Sequence, residues 1–372
     1  MREIASVELR AICAELNGLR GSTLSKFYDL GNGAFRFSFS SKHASGTVYC
    51  KLLYTINLTA FSEEVGEATN FAMAMRKRII GSRLAEVRQY RNDRILIFKL
   101  ENAGNVYELI LEMFGKGNLI LSREGIVELC YRVVKQRERE IRPRMRYLFP
   151  GGGGALTIDK IDYGSAKDAA SAISGEKKKL IAAFGRYFDF GPLYNEDVIR
   201  EAGLDPNGDA AAVKGHEDEL ARAVVTFKER LANISPRIYI GEGGFVDYAL
   251  CDIKKYAGMR YKTYNTLSEA LDEFYLGERA QREPSSEAEN RIKEIKASIQ
   301  KQEEIIKELE ASEKRDIEAA NRIFERMDEI NSLINEIKRL IKKGEAHEGM
   351  SIGGIKVKSI NLKEKKITIE ID

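Results

Sequence analysis

Two stretches of this chain carry side chains that could do chemistry, and both are suited to recognition. The first is the charged quartet Arg91-Asn92-Asp93-Arg94. Arginine forks onto phosphates or stacks on bases. An adjacent aspartate can orient it or accept a hydrogen bond from a base edge. Read from these residues alone, Asp93 and Arg94 make a surface ion pair at a strand start, worth little to stability. The second stretch is 131–147. It carries Arg132, Lys135, Arg137, Arg139, Arg142, Arg144 and Arg146 against Glu138 and Glu140, with Tyr131 and Tyr147 at its ends. A charge run can be only a solvated face. The bias to arginine and the flanking tyrosines point instead to an RNA backbone.

Catalytic sets are missing. His43, His216 and His347 are scattered through polar or loop-like stretches. There is no phosphate-binding P-loop, no Gly-x-Gly-x-x-Gly and no nucleophile elbow. Cys13, Cys50, Cys130 and Cys251 stand far apart without a Cys-x-x-Cys. Neither a zinc site nor a disulfide framework is expected, only buried thiols in a reducing cytosol. No metal and no cofactor are expected.

At 372 residues the chain is long enough for two or three domains. Hydrophobic residues make 43% and charged residues 31%, as in a globular protein with one unusually charged part. The net charge of +3 predicts no polyanion partner by itself, so the distribution of charge matters more than its sum. There is no signal peptide and no apolar run of membrane-spanning length. A cytoplasmic protein without membrane partners is expected.

The elements that must position the charged residues follow from periodicity. A helix is predicted over 4–18 from Ile4, Val7, Leu9, Ile12 and Leu16, with Glu8 beside its apolar face. Strands are predicted at 23–30, 34–39 and 47–54. Phe35, Phe37 and Phe39 alternate, and Gly31-Asn32-Gly33 supplies a hairpin turn. An amphipathic helix then carries Phe71, Met75, Ile79 and Ile80 beside Arg76, Lys77 and Arg78, and Gly81 ends it. Strands at 95–100, 107–114 and 118–122 follow, giving a mainly antiparallel sheet or sandwich carrying helices, with the quartet at its mouth. Pro150 and the glycines 151–154 mark a domain boundary.

Residues 155–235 read as short helices, with a break at Gly191-Pro192-Leu193 and Asn195 as the expected cap of a helix Glu196–Ala202. A β-hairpin at 237–250 and a connecting helix complete a section spanning 236–284. From 285 to 345 the chain reads as one long charged helix, roughly 85 Å if straight. Its coiled-coil seam runs through Ile292, Ile295, Ile299, Ile306 and Leu309, with Gln302 at a polar core position. The seam shifts at Ile317, Ala320, Phe324 and Met327, and again at Ile330, Ile334, Ile337 and Ile341. A small hairpin is expected within 350–372.

Several blocks together resemble the NFACT family of ribosome-quality-control factors, first labelled fibronectin-binding-like proteins. They are Asn70-Phe71-Ala72 with Arg76-Lys77, Gly81-Ser82-Arg83-Leu84, Asp93-Arg94-Ile95, and Glu112-Met113 with Gly115-Lys116-Gly117-Asn118-Leu119-Ile120-Leu121. The block 266–275, Thr266 through Tyr275, is similar to the one that leads into the family's coiled coil. The resemblance implies an α+β, multidomain chain. Residues 1–150 would resemble the amino-terminal domain of formamidopyrimidine-DNA glycosylases. Residues 155–235 would be a helix-hairpin-helix-like module with its turn at Phe190-Gly191-Pro192.

The resemblance also implies that Asp93 and Arg94 engage transfer RNA, and that Glu8 occupies the place of an aspartate needed for tailing. The family's returning coiled-coil helix and its carboxyl-terminal RNA-binding module have no counterpart here. The chain therefore reads as the amino-terminal portion of a longer or split protein. A second coiled-coil helix would come from the remainder of that protein, a separate subunit or a homodimer.

The implied function is a binding factor, not an enzyme. It would hold a stalled large ribosomal subunit, with its rRNA and peptidyl-tRNA, and recruit aminoacyl-tRNA for template-free, alanine-type tailing. The alternatives are an extracellular-matrix-binding adhesin and a glycosylase-like DNA-binding protein. Against the last, Arg2 stands before Glu3 where the glycosylases carry a nucleophilic proline, and Glu3 alone means little. A glycine that the family carries near Arg144 is also absent.

Overall fold

A computed structural model describes residues 2–61, 67–136, 139–151, 154–281, 286–361 and 364–370; the side chains of residues 276–295 also lie outside the description. The chain divides into two compact units, Met1–Gln281 and Arg282–Asp372.

The first unit opens with helix α1, Ser6–Leu16. Strands β1 Thr23–Gly31, β2 Ala34–Ser40, β3 Ser45–Lys51 and β4 Thr55–Thr59 follow as an antiparallel meander. Helix α2, Asn70–Ile79, is capped by the Thr69 hydroxyl, which accepts from the Ala72 amide at 3.1 Å. A second meander comprises β5 Arg83–Gln89, β6 Ile95–Asn102, β7 Asn105–Glu112, β8 Asn118–Arg123 and β9 Ile126–Cys130. β1 and β5 join the two into one nine-stranded sheet ordered β4-β3-β2-β1-β5-β6-β7-β8-β9.

The sheet folds back on itself. Phe37 meets Phe98 edge-on at 5.4 Å between ring centroids, and Phe39 stacks on Phe98 at 6.3 Å. The phenylalanine alternation of β2 thus turns one face into the core while Arg36 and Ser38 take the other. β6 breaks that pattern. Ile95, Leu96, Ile97 and Phe98 are all fully buried, as a strand covered on both faces must be. Ile95 and Ile97 pack under the ribbon 139–149, with Ile110, Ile120, Ile141 and Tyr147. The short strand β11 Glu140–Ile141 lies within that ribbon and pairs antiparallel with β10 Val134–Lys135, just before it.

Residues 155–235 are helical: α3 Tyr163–Ser174, α4 Leu180–Tyr187, α5 Pro192–Glu201 and α6 Glu217–Ala232. Asn195 does not cap a helix, contrary to the sequence expectation. It lies inside α5, buried, and its carbonyl accepts from the Phe190 amide at 3.2 Å. Gly191 is the cap and Pro192 the first helical residue. Gly191 has φ of 100°, and a Cβ there would lie 2.6 Å from that of Ala5, so glycine is required for α5 to approach α1.

A small sheet follows, ordered β13-β12-β14, from β12 Arg237–Gly241, β13 Gly244–Ala249 and β14 Arg260–Thr263. Helix α7, Leu267–Gln281, starts on a carboxylate from elsewhere in the chain. Glu15 of α1 accepts from the amides of Leu267 at 2.7 Å and Ser268 at 3.0 Å, which satisfies and charge-matches the helix start.

The second unit corrects the expectation of one long helix. α8 Ser286–Glu325 ends at Arg326, whose backbone (φ −105°, ψ 17°) leaves the helical region, and α9 Met327–Lys343 begins anew. Strands β15 Ser351–Ile352, β16 Ile355–Asn361 and β17 Lys366–Glu370 form a three-stranded sheet. It covers α9, burying Ile330, Leu333 and Ile337 against Ile355 and Val357. The last seam segment is therefore satisfied locally. The α8 seam is not: Ile306, Leu309, Ile317 and Phe324 are exposed, Phe324 by 72%. The side chains of Ile292 and Ile295 lie outside the described residues.

That stripe leads to an expected outcome. The chain should self-associate with rising concentration, read by multi-angle light scattering. Leu309→Ser with Phe324→Ser should shift it towards monomer. A monomer at every concentration, with α8 amides fully protected from hydrogen exchange, would contradict this.

Candidate nucleic-acid interface

The stretch 91–94 is set by a tight turn. Asp93 donates its amide to the Tyr90 carbonyl at 3.0 Å, and Arg91 takes φ of 50°, in the left-handed region. Side chains then hold the turn to its surroundings. Asn92 Nδ2 donates to the Leu156 carbonyl at 2.7 Å. Gln89 Nε2 donates to the carbonyls of Ser6 at 2.9 Å and Asp93 at 3.0 Å. The Ser6 hydroxyl donates to the Asp189 carbonyl. The sheet mouth, the start of α1 and the α4–α5 hairpin are thus locked together.

Asp93 and Arg94 do not form one site. They enter the strand as neighbours and diverge into two adjoining clefts. Asp93 lines a cleft of about 750 Å³ with Arg91, Lys160, Arg186, Tyr187 and Asp189. Arg94 lines one of about 460 Å³ with Arg2, Glu3, Ala5, Leu193 and, again, Asp189. Asp189 is the wall between them, and nothing in its local sequence signals that role. Burial pushes the Asp93 carboxyl up, partly offset by Arg91, and its Oδ2 is buried without a hydrogen-bond partner among the described residues. Desolvation also pushes Asp189 up; Arg94 lowers it, and Asp93 raises it further. Arg94 is paired with Glu3, so Glu3 has a definite place here.

Glu8 is not the exposed helix residue that its position beside the apolar face of α1 allows. It is fully buried. As the third residue of α1 it reaches back to the Ala5 amide at 2.8 Å. The guanidinium of Arg2 forks onto both its oxygens, with Nη1 to Oε2 at 2.9 Å. The Tyr194 hydroxyl donates to Oε1 at 2.7 Å and itself accepts from the Leu250 amide at 3.0 Å. Arg2 also donates to Asp247 and to the Tyr248 carbonyl, both at 2.7 Å. In this geometry Glu8 reaches a ligand only through the residues it holds.

The basic run sorts into two classes. Arg139 is buried against Glu112, which also accepts from the Tyr147 hydroxyl at 2.8 Å. Arg132 donates to the Lys116 carbonyl and lies over the Tyr131 ring. Both side chains are thus engaged with groups of the protein itself. Arg142 is exposed and paired with Glu140 at 2.6 Å. Lys135, Arg144 and Arg146 are exposed to solvent. Arg137 lies outside the described residues. Arg144 occupies the third position of a turn from Arg142 to Met145, with Pro143 second and φ of 71°. That is a type II turn, which ordinarily demands glycine there. The missing glycine is thus an arginine held in a glycine conformation.

Among the described residues no cluster of histidine, cysteine and acidic side chains could hold a metal ion. Among the described residues no helix is long and apolar enough to cross a membrane. Fold and site define a multimodule α+β protein with polar clefts at a sheet mouth. Comparison with known proteins gives this class a name. Residues 6–372 match the family model for the NFACT N-terminal and middle domains, and the chain belongs to the NFACT family. It is similar to the archaeal Rqc2 homolog aRqcH of Methanocaldococcus jannaschii, 24% identical over 92% of this chain and 53% of that protein. It is similar to the human ribosome quality control complex subunit NEMF, 26% identical over 55% of this chain and 19% of that one. The chain thus spans about half the length of the archaeal relative and a fifth of the human one. A solved structure of the fibrinogen binding protein from Staphylococcus aureus shares the fold, with a TM-score of 0.60 and 17% identity, covering 73% of this chain and 98% of that one.

Two outcomes test the geometry. Arg144→Gly should relieve roughly 1 kcal/mol of backbone strain and raise the melting temperature. No gain in stability would mean that the turn is not strained. Asp93→Asn should raise stability at neutral pH. The folded carboxyl titrates above its unfolded value, so its charged form destabilises the fold at higher pH. The gain over the parent should shrink as pH falls through the folded and then the unfolded pKa. Thermal melts across that range read it, and a pH-independent difference would contradict the placement.

Proposed function

We propose that this chain is the amino-terminal and middle part of a ribosome-quality-control factor. It binds the large ribosomal subunit carrying stalled peptidyl-tRNA and recruits aminoacyl-tRNA for template-free, alanine-type tailing of the nascent chain. The observation that carries the reading is the pair of clefts at the sheet mouth, one lined by Asp93 with Arg91 and Lys160, the other by Arg94. Carboxylate acceptors beside arginines suit an RNA that must be read at its bases and held at its phosphates. The names of the archaeal and human relatives point to the same process. Peptidyl transfer is then the ribosome's chemistry, and this protein is a binding factor of the cytoplasm that supplies position and selection. Exposed Lys135, Arg142, Arg144 and Arg146 add phosphate contacts, on tRNA or rRNA.

The test is Asp93→Ala with Arg94→Ala in the full-length protein. Both side chains are half-buried in cleft walls and outside the hydrophobic core, so the fold should change by no more than about 1 kcal/mol. Co-sedimentation with large subunits should persist through the remaining basic residues. Bound tRNA, and with it tail synthesis, should be lost. Unchanged tRNA recovery with an intact fold would overturn the assignment.

A further inference from the structure

Residues 253–264, Ile-Lys-Lys-Tyr-Ala-Gly-Met-Arg-Tyr-Lys-Thr-Tyr, hold four cations, three tyrosines and no acid. They form β14 and the loop that leads to it. β14 is the edge of the small sheet opposite β13, whose Asp247 and Tyr248 hold Arg2. All four of its residues are exposed. Tyr261 is 53% exposed, a large ring left in water.

The ring is backed from beneath. The Arg237 guanidinium lies 4.6 Å from its centroid, and Tyr239 meets it edge-on at 6.3 Å. Arg237 is itself only 12% exposed and is pinned by Asp252 at 3.0 Å. Covering an arginine with a tyrosine removes the cation from water, and it fixes the ring plane. A fixed, exposed aromatic face with cations along the strand is the arrangement on which an unpaired base stacks while phosphates follow the basic residues. Lys262 is held by Glu273 at 2.6 Å and Lys254 by Glu201 at 3.6 Å. Lys255 and Arg260 are exposed without an acidic partner among the described residues.

We propose that β14 is a second RNA contact, taking a single-stranded segment with one base stacked on Tyr261 and adjacent phosphates on Arg260 and Lys255. It is separate from the clefts of Asp93 and Arg94 and does not depend on their assignment. An acidic peptide added as a further strand is the competing occupant. It would use the backbone edge and leave the tyrosine face idle.

The experiment measures binding of a fluorescein-labelled ten-nucleotide single-stranded RNA to the full chain across a salt series. The duplex of the same sequence and an acidic ten-residue peptide serve as parallel probes. Tyr261→Ala should weaken single-strand binding roughly tenfold, and Tyr261→Phe should restore it. Arg260→Glu should weaken it and lower the log–log salt slope by about 0.7. The loss on Tyr261→Ala should be as large in the Asp93→Ala, Arg94→Ala background as in the parent. Equal affinity of the Tyr261→Ala variant and the parent, equal affinity for duplex and single strand, or preferential capture of the peptide would each overturn the proposal.

Discussion

One buried carboxylate sets the geometry of the first unit. Glu8 is removed from water and satisfied by an amide of its own helix, a forked arginine and a tyrosine hydroxyl. A buried charge of this kind tolerates no missing partner; breaking such a set costs on the order of 3–5 kcal/mol. Each partner belongs to a different segment: Arg2 precedes α1, Tyr194 sits in α5, and Arg2 and Tyr194 in turn hold β13 and Leu250. The start of α1, the helical module and the small sheet are therefore registered on one group. The close approach of Gly191 to Ala5 and the Ser6 bond to Asp189 depend on that registration. So does the shape of both clefts.

This arrangement separates two roles that a list of charged residues merges. Arg139 and Glu112 close the second core beneath β6, and Arg132 secures the Lys116–Gly117 corner. Their charges are spent inside the protein. Arg91 and Arg144 do the reverse. Both are held at positive φ in exposed turns, where backbone strain is retained while the guanidinium faces solvent. Strain of this kind persists when the surrounding structure over-determines it.

Much of the sheet was legible because its chemistry is local. The alternation in β2 and the apolar run of β6 announce a half-buried and a doubly buried strand. β5 was missed because a bulge between Leu84 and Glu86 puts its buried residues, Leu84 and Val87, three apart, and an odd spacing erases the period-two signal. Asn195 looked like a cap because its type favours one, whereas tertiary packing drew its amide inside. The Arg326 break replaced what the sequence showed only as a phase shift of the seam. At the site, Asp93 and Arg94 stood out as a pair. Their divergence and the part of Asp189 could not be seen, because both arise from segments brought together over long sequence separation. Nor could the full burial of Glu8 be seen, because its partners Tyr194 and Arg2 are invisible to helical periodicity.

The account stands on RNA occupying the clefts at the sheet mouth. The most direct measurement is ultraviolet crosslinking of the full-length protein in living cells, with identification of the RNAs joined to peptides containing Tyr187 and the 90–94 turn. The account predicts transfer RNA on those peptides and large-subunit ribosomal RNA elsewhere on the protein. Crosslinks to neither, with those peptides recovered free of nucleotide, would contradict it.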